Sequence, residues 1–334
     1  MGSVSIAVQT DKTAGDYARL AARVEELGFD GMSVFSDLGY QPPLMALTAI
    51  AAATRRIRIG AACWNPFTTH PVEIAGQAAA LDIASDGRGY VGLARGSWLD
   101  RVGISTADGL DRLADSAEII RRLLAGDDTG YRGAVLGIEP GFGFAFPRRR
   151  PRMPLLFGVW GPKASAVAAR YADEVKIGGS ANPDMVGVMR QRLSAGAVAA
   201  GRTPDAVGVV AGAVTVVDRD RRAARRRART EVAMYLDVVG ALDPTVDLAD
   251  ELLTGVRSAL RDGDADAAGA LIPDDVLDRF AFAGAPDDVA AQAAGLFEAG
   301  AARVEFGTPH GLTDLGGVEL LGTAVLPALA EWRS

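Results

Sequence analysis

The stretch of residues 57–98, IRIGAACWNPFTTHPVEIAGQAAALDIASDGRGYVGLARGSW, decides the fold that the sequence predicts. It opens with an apolar run over residues 57–63, rich enough in β-branched residues to indicate a buried strand. Pro71 suits the first position of a helix, and apolar residues recur at helical spacing over residues 71–84. After the turn SDGRG, Gly89–Ala94 predicts a second buried strand. The stretch is therefore a βαβ unit, and a parallel barrel of such units carries its chemistry just past the strand ends.

Alternating strands and helices continue along the rest of the chain. Apolar runs predict eight strands, at residues 4–9, 31–36, 57–63, 89–94, 154–159, 174–178, 207–217 and 303–306. Helical patterns lie between these strands, which is typical of a (β/α)8 TIM barrel. We therefore expect a single barrel domain over residues 1–334 with two insertions. The glycine- and proline-rich segment 126–152 is interpreted as a hairpin or lid, and the mostly helical segment 218–285 as a helical insertion.

The composition excludes several classes of partner. A net charge of −7 argues against nucleic acid, because contacts with phosphates require a basic face. The single cysteine rules out an internal disulfide and fits a reducing compartment. The amino terminus lacks the pattern of a signal peptide, and no apolar run reaches the roughly 20 residues that span a bilayer. We therefore expect a soluble, cytoplasmic protein that binds neither nucleic acid nor membrane.

Polar and small residues follow the predicted second and sixth strands. Asp37 comes directly after the second strand, where it is either a turn cap or a hydrogen-bond partner for a polar ligand over the barrel mouth. Gly178-Gly179-Ser180 ends the sixth strand. Glycines there either let a ligand approach the backbone closely or serve a tight turn. The residues alone leave both alternatives open at both places.

The predicted fifth strand leads into a helix start that can bind an anion. Gly158 lies near the end of this strand, and Gly161-Pro162-Lys163 opens the next helix. Backbone N–H groups at a helix start, the helix dipole and a lysine together attract a phosphate. An ordinary helix start without a ligand is the alternative, and the spacing alone favours it.

Aromatic residues and two histidines lie in predicted loops beyond the strands. The aromatic residues are Trp64, Phe67, Trp98 and Trp160. Large aromatic residues at a barrel mouth suit a planar ligand, with packing of the loops on each other as the alternative. His70 is interpreted as a helix N-cap, whereas His310 follows the eighth strand and is a site candidate. Cys63 continues an apolar strand and is interpreted as a core residue.

Several kinds of site have no signal in the sequence. No HxxxH, CxxC or acidic cluster has the spacing of a metal site, so we expect no metal. The sequence contains neither a GxSxG nucleophile elbow nor a Walker loop. The isolated GLARG after the fourth strand is too loose for a dinucleotide fingerprint.

Four motifs follow one another along the chain at the predicted strand ends. They are IGAACWNPFTTHP, SDGRGYVGLARG, GVWGPKASAVAARYAD with IGGSANP, and FAGAPDDVAAQAAGLFEAGAARVEFGTPHG. Together they resemble the luciferase-like superfamily, and within it the branch of methylenetetrahydromethanopterin reductase and its relatives. The resemblance covers nearly the whole chain and is weakest over residues 126–152 and 218–285. It implies a (β/α)8 barrel with insertions, in agreement with the strand count.

The resemblance also implies a cofactor. Members of this branch use the 8-hydroxy-5-deazaflavin coenzyme F420, and other branches use FMN. Mapped onto this chain, the cofactor-binding residues are Asp37, Ala62, Cys63, Gly158, Gly161, Pro162, Lys163, Gly178, Gly179 and Ser180. The phosphate would lie at Gly161 and Lys163, which favours the anion site over the ordinary helix start. The resemblance further implies a cis peptide between Ala62 and Cys63, whose backbone would support the ring.

Three residues depart from the family pattern at the expected site. Leu38 stands where relatives usually have histidine. Arg95 replaces a glutamate that helps proton transfer in sugar-oxidising relatives, and Trp98 replaces a nearby asparagine, so a sugar dehydrogenase is not expected. Arginine is always charged and suits a carboxylate or phosphate. The alternative for Arg95 is an ion pair with a loop carboxylate, either Asp37 or Asp100.

These observations lead to one expected function and two alternatives. We expect an F420-dependent oxidoreductase that transfers hydride to or from a small organic molecule, with reduction of a C=C, C=N or C=O group favoured. Its predicted catalytic residues are Asp37, Arg95 and His310, and its predicted substrate contacts are Trp64, Arg95 and Trp98. Since arginine cannot donate a proton, that role falls to Asp37, His310 or water. The alternatives are an FMN-dependent monooxygenase and a non-catalytic cofactor-binding barrel, and the sequence leaves an anionic substrate and a homodimer open.

Overall fold

Eight parallel strands close into a barrel in the computed structural model, which describes residues 2–333. In chain order, the strands inside and outside the barrel are β1 (Ser3–Val8), β2 (Gly31–Val34), β3 (Arg58–Ala61), β4 (Gly89–Ala94), β5 (Tyr131–Arg132), β6 (Gly137–Ile138), β7 (Leu155–Gly158), β8 (Glu174–Gly178), β9 (Gly208–Val217), β10 (Ala281–Gly284) and β11 (Arg303–Gly311). The barrel order is β1-β2-β3-β4-β7-β8-β9-β11, and it closes where β11 pairs with β1. The predicted (β/α)8 fold is confirmed, and the carboxyl ends of all eight strands meet at one mouth.

Helices surround this barrel. They are α1 (Ala14–Glu26), α2 (Pro43–Ala53), α3 (Pro71–Ala84), α4 (Gly109–Ala125), α5 (Pro162–Tyr171), α6 (Pro183–Ala199), α7 (Arg221–Ala233), α8 (Leu236–Gly240), α9 (Asp250–Arg261), α10 (Ala265–Ala270), α11 (Asp274–Phe280), α12 (Pro286–Glu298), α13 (Asp314–Leu320), α14 (Leu326–Ala328) and α15 (Ala330–Arg333). Their starts follow from the local sequence: Thr13 forms a capping box with Asp16, and proline opens α2, α3, α5, α6 and α12. Within residues 2–333, no helix is both long and apolar enough to cross a bilayer.

One side of the barrel is taller than the other because β9 is long. Residues 208–212 of β9 pair with β8, whereas residues 214–217 pair with β10, which adds a ninth parallel strand. The sequence pattern did not predict β10, because its four residues are too few to separate a strand from the surrounding helical pattern. It also ended the eighth strand too early, since β11 continues beyond Phe306 to Gly311 alongside β9.

The segment 126–152 contains a short antiparallel hairpin of β5 and β6. Asp115 of α4 holds it, because its carboxylate accepts hydrogen bonds from Val135 N at 2.8 Å, Leu136 N at 3.0 Å and the Tyr131 hydroxyl at 2.8 Å. Burial alone would raise the pKa of Asp115, but these donors hold it below its usual value. The hairpin is therefore fastened to the outside of the barrel at α4, and its action as a lid stays a prediction.

Candidate active site

A buried network of charged and polar side chains fills the lower barrel interior. Successive residues of a strand face opposite sides, so every second residue of each barrel strand points inward. The Glu305 carboxylate lies at the centre of the network and accepts hydrogen bonds from Lys176, Ser33 and, at 3.1 Å, Ser5. Burial acts to raise the pKa of Glu305, but Lys176 and Arg303 hold it below its usual value. Glu305 is therefore a carboxylate at neutral pH.

Arginine residues complete the network from below. Arg303 is buried and lies 3.8 Å from Glu305 and 3.0 Å from the Glu174 carboxylate. Arg58 also reaches Glu174, at 3.3 Å. Both guanidinium groups lie over the ring of Tyr90, at 5.7 Å for Arg58 and 5.4 Å for Arg303. The floor of the barrel thus combines ion pairs with the apolar cluster of Tyr90, Leu156 and Val210.

Above this floor, the inward positions carry almost no side chains. The next inward residues on five strands are glycines, namely Gly92, Gly158, Gly178, Gly212 and Gly307. The equivalent residues at β1 and just beyond β3 are Ala7 and Ala62, and only Phe35 after β2 is large. A Cβ added to Gly178 would meet only the Lys176 Cε atom, at 3.8 Å. A Cβ on Gly92 or Gly307 would instead lie 2.1 Å from Ala61 O or 2.8 Å from Ala213 O, so the neighbouring backbone closes those two positions. The layer of small residues at the mouth, here called the glycine hollow, is therefore open at Gly178.

Cys63 forms part of the wall beneath the glycine hollow. The peptide between Ala62 and Cys63 is cis, as the resemblance predicted. The Cys63 side chain packs against Tyr90, Leu156 and Val210. Burial raises the pKa of its thiol to about 12, so the sulfur is neutral at pH 7. This placement agrees with the interpretation of Cys63 as a packing residue and not a nucleophile.

Asp37 lies at the rim of the mouth and is held by Gln9. Gln9 Nε2 donates to Asp37 Oδ2 at 2.8 Å, while Gln9 Oε1 accepts from Thr10 N at 2.9 Å. The Tyr17 hydroxyl donates to the backbone carbonyl of Gln9 at 2.8 Å and so also holds Gln9 in place. Within residues 2–333, the Asp37 carboxylate accepts no other hydrogen bond, so it does not act as a turn cap. Its side chain is exposed to the mouth.

The amino terminus of α5 is free to bind an anion. Gly161 is its N-cap, with extended backbone angles (φ −72°, ψ 158°), and no side chain bonds to the first N–H groups of the helix. No atom lies within 4 Å of the position that a Cβ on Gly161 would take. Lys163 is exposed, and in the described part of the chain it forms no ion pair. Backbone donors and the helix dipole therefore meet at an open helix start, and Lys163 lies in the first turn beside it.

The loop after β4 presents Arg95 and Trp98 to solvent. Among residues 2–333, Arg95 forms no ion pair, so it is not bound by Asp37 or Asp100. The Trp98 ring is 41 % exposed and lies 5.9 Å from the Arg101 guanidinium. The Arg95 guanidinium is consequently available to an external anion, and the Trp98 ring to a planar group.

Known proteins share both the sequence pattern and this architecture. The sequence profile of luciferase-like monooxygenases matches residues 2–303. The chain belongs to this family. The 5,10-methylenetetrahydromethanopterin reductase of Archaeoglobus fulgidus is 31% identical to it over 94% of each chain. The predicted resemblance is therefore confirmed for this luciferase-like protein.

Solved structures of similar proteins extend over the whole luciferase-like chain. The coenzyme F420 dependent tetrahydromethanopterin reductase from Methanopyrus kandleri superposes with a TM-score of 0.88 at 25% identity, covering 98% of this chain and 99% of that one. An F420-dependent secondary alcohol dehydrogenase, solved with an F420-acetone adduct, has a TM-score of 0.78 at 18% identity, with the same coverage. The second similarity concerns the fold alone.

Three predicted site residues of the luciferase-like protein are buried and must be corrected. Trp64 is only 2% exposed and belongs to the main hydrophobic core, so it is a packing residue and not a substrate contact. Ser180 is fully buried, and its hydroxyl accepts a hydrogen bond from Asn182 N at 3.2 Å. His310 is 1% exposed, and its Nε2 lies 3.1 Å from the Ala7 carbonyl. Burial lowers the pKa of His310 to about 4, so its imidazole is neutral at pH 7, and the same burial separates it from the open mouth.

Three residues that shape this site were not predicted from the sequence. Lys176 and Glu305 are charged residues inside the apolar strands EVKIG and RVEFGTPHG, and such a position signals a buried ion pair. Gln9, at the end of the first strand, carried no signal of its own, because its importance comes from its contact with Asp37.

A separate surface cleft of about 700 Å³ lies between α4, α5 and α6, remote from the mouth. It contains arginines, but Arg121 and Arg152 pair with Glu118 and Asp173, and Arg202 donates to backbone carbonyls. Because the cleft lies at the carboxyl ends of these helices, we assign it no part in the chemistry. In the part of the chain that the structure describes, no three metal-binding side chains converge.

Proposed function

We propose that this luciferase-like protein is an F420-dependent oxidoreductase that transfers hydride to or from a small organic substrate. The observation that carries the proposal is the glycine hollow beside the free amino terminus of α5, since a flat ring and a phosphate of one ligand would need these two features together. Relatives named as F420-dependent reductases and dehydrogenases support it. At the level of the glycine hollow, seven of the eight barrel strands carry no side chain larger than a methyl group.

Two groups of residues would hold the cofactor. Ala62, Cys63, Gly158, Gly178 and Gly179 would contact the ring through backbone atoms and small side chains. Gly161, Pro162 and Lys163 would bind the phosphate. When bound, the deazaflavin supplies a ring carbon that accepts or delivers hydride.

The loop after β4 would place the substrate against the exposed face of the ring. The Arg95 guanidinium would bind an anionic group of the substrate bidentately, and the Trp98 ring would cover an adjoining planar part. A C=C, C=N or C=O group held over the hollow is then close enough for reduction, and fixing that geometry is a large share of the catalysis. The proton would come from water held by the Asp37 side chain, which Gln9 positions, or from Asp37 itself in its protonated form, because arginine stays charged and His310 is buried.

Titration of the purified protein with each cofactor tests this proposal. We expect F420 to bind far more tightly than FMN, followed by hydride transfer without consumption of oxygen. FMN binding of equal or greater strength, with oxygen consumed, would establish the FMN-dependent monooxygenase instead. Tight F420 binding without turnover on any C=C, C=N or C=O substrate would leave a cofactor-binding barrel.

The finer parts of the proposal need separate measurements. We propose an anionic substrate, which the unpaired Arg95 guanidinium supports, together with a homodimer and a cytoplasmic location. Sedimentation equilibrium at several concentrations tests the dimer, and a monomer throughout would contradict it. Fractionation of the source cells tests the location.

A further inference from the structure

Lys176 lies directly below the glycine hollow. Its Cε atom is 3.8 Å from the position of a Cβ on Gly178 and 3.2 Å from that of a Cβ on Gly212. Its ammonium nitrogen lies 5.0 Å from the centre of the Phe35 ring, the one large side chain at this level. Lys176 is 6% exposed. A planar ligand in the hollow would therefore lie next to the ammonium group of Lys176.

Each titratable group near Lys176 has a defined charge. Glu305 and Glu174 are negative, while Arg303 and Arg58 are positive. Burial raises the pKa of the Cys63 thiol and of the Tyr90 hydroxyl, so both are neutral at pH 7. With Lys176, the network has three cations and two anions, a net charge of +1 below the hollow. Glu305 pairs with Lys176 through Oε1 and accepts from Ser5 and Ser33 through Oε2, and the side chain that borders the open Gly178 position is that of Lys176.

A buried charge in this position lowers the stability of the fold unless an interaction compensates for its loss of hydration. Removing an ammonium group from water costs several kcal/mol, and apolar residues of similar volume often replace buried ion pairs without loss of stability. The packing of the barrel floor alone does not require a cation there. An anionic ligand in the hollow would give the charge a partner on its open side.

We infer that Lys176 determines the charge state of the bound ring, by favouring the ionised form of the 8-hydroxydeazaflavin over its neutral form. The inference rests on the proposed function. The 8-hydroxyl is conjugated with the ring system, so the loss of its proton to solvent spreads negative charge over the ring. Lys176 thus selects an ionisable ring over FMN, which lacks this hydroxyl, and it is a positioning residue for charge rather than a proton donor.

An absorbance titration of the bound, oxidised cofactor tests the inference without any turnover. In wild-type protein the bound hydroxyl should lose its proton at lower pH than in free F420. In Lys176→Met, which keeps an unbranched side chain one atom shorter but removes the charge, the midpoint should rise by about one pH unit, a tenfold loss of preference for the ionised ring. Lys176→Arg, which keeps the charge, should stay near the wild-type midpoint. Glu305→Gln, which removes the opposing charge, should lower the midpoint.

Each outcome of this titration decides one point. Equal midpoints in wild type and Lys176→Met, with weaker binding of both ring forms, would mean that Lys176 only supports the barrel and would overturn the inference. If Lys176→Met does not fold, the double variant Lys176→Met/Glu305→Gln removes both charges of the buried pair. Its midpoint should still rise, because Lys176 is the charge nearer to the ring. An unchanged midpoint in the double variant would overturn the inference. Failure of wild-type protein to bind F420 at all would instead refute the proposed function.

Discussion

A carboxylate placed at the start of α5 should strengthen the fold and weaken cofactor binding at once. Gly161 is the N-cap of α5, its backbone angles are those of an ordinary capping residue, and its Cβ position is open. Gly161→Asp therefore fits without strain, and its side chain can accept hydrogen bonds from the first N–H groups. Replacing glycine by aspartate at an N-cap adds a few tenths of a kcal/mol, and a negative charge at the dipole adds a similar amount.

The same carboxylate would occupy the donors that we assign to the phosphate and would repel it. Two unit charges about 5 Å apart interact by roughly 1–3 kcal/mol between the dielectric constants of water and of a protein surface. Gly161→Asp should consequently weaken F420 binding by about five- to 150-fold. Gly161→Asn is the matched control, because it caps the helix without a charge and should cost less affinity.

Two measurements on the same samples check this prediction. Fluorescence titration gives the Kd for F420, and thermal unfolding gives the Tm, which should rise by about 1 °C in Gly161→Asp. The loss of affinity should also shrink at high salt, since exposed charges are screened. A Tm that rises while the Kd stays at its wild-type value would show that no phosphate binds at α5. Equal Kd values for the aspartate and asparagine variants would remove the electrostatic part of the reasoning.

Four further predictions concern single residues of the site. Lys163→Ala should weaken F420 binding by about ten- to a hundredfold through loss of a charge-assisted contact, whereas an unchanged Kd would return Lys163 to the solvated surface. Ala62→Leu should abolish F420 binding, because the larger side chain enters the glycine hollow, while circular dichroism still reports a folded barrel; retained binding would contradict the placement of the ring. Arg95→Met should remove a preference for acidic substrates over their esters while F420 still binds, and equal losses on acid and ester would mean that Arg95 only supports the loop. The pKa of His310 is about 4 in the folded protein, below the value of about 6.5 in the unfolded chain. As the pH falls from about 6.5 to about 4, the unfolded chain binds a proton that the folded chain does not, so the free energy of unfolding should fall by up to about 3 kcal/mol. His310→Asn, which tolerates the positive φ of 70°, should flatten that pH dependence in urea unfolding, and an unchanged slope would assign it to other groups.

The sequence predicted the elements of the barrel well, because each rests on a local pattern. Gly89–Ala94, Glu174–Gly178 and Pro71–Ala84 begin and end in the structure where the apolar patterns do. A strand of four residues such as β10 lacks a period long enough to recognise, and it forms because β9 offers it an edge. That information lies in the tertiary pairing and not in residues 281–284 themselves.

Side-chain direction was harder to predict than strand position. Trp64 follows β3 and His310 lies near the end of β11, which suggested a place at the mouth for both, but both side chains turn into packed regions. Distance from a strand end fixes the height of a residue in the barrel, whereas its direction depends on local backbone geometry. The inward positions could have been deduced by counting alternate residues from Lys176 and Glu305, because their charges mark the interior only once the strands are known to close.

The height of β9 limits how this barrel can be simplified. Anyone who removes residues 218–285 to obtain a minimal (β/α)8 scaffold also removes β10, the partner of residues 214–217. The upper part of β9 would then present unpaired backbone amides and carbonyls at an exposed apolar edge, which is a template for association with other chains. A shortened barrel should therefore aggregate even if its eight core strands stay intact, unless residues 214–217 are trimmed as well or given charged side chains.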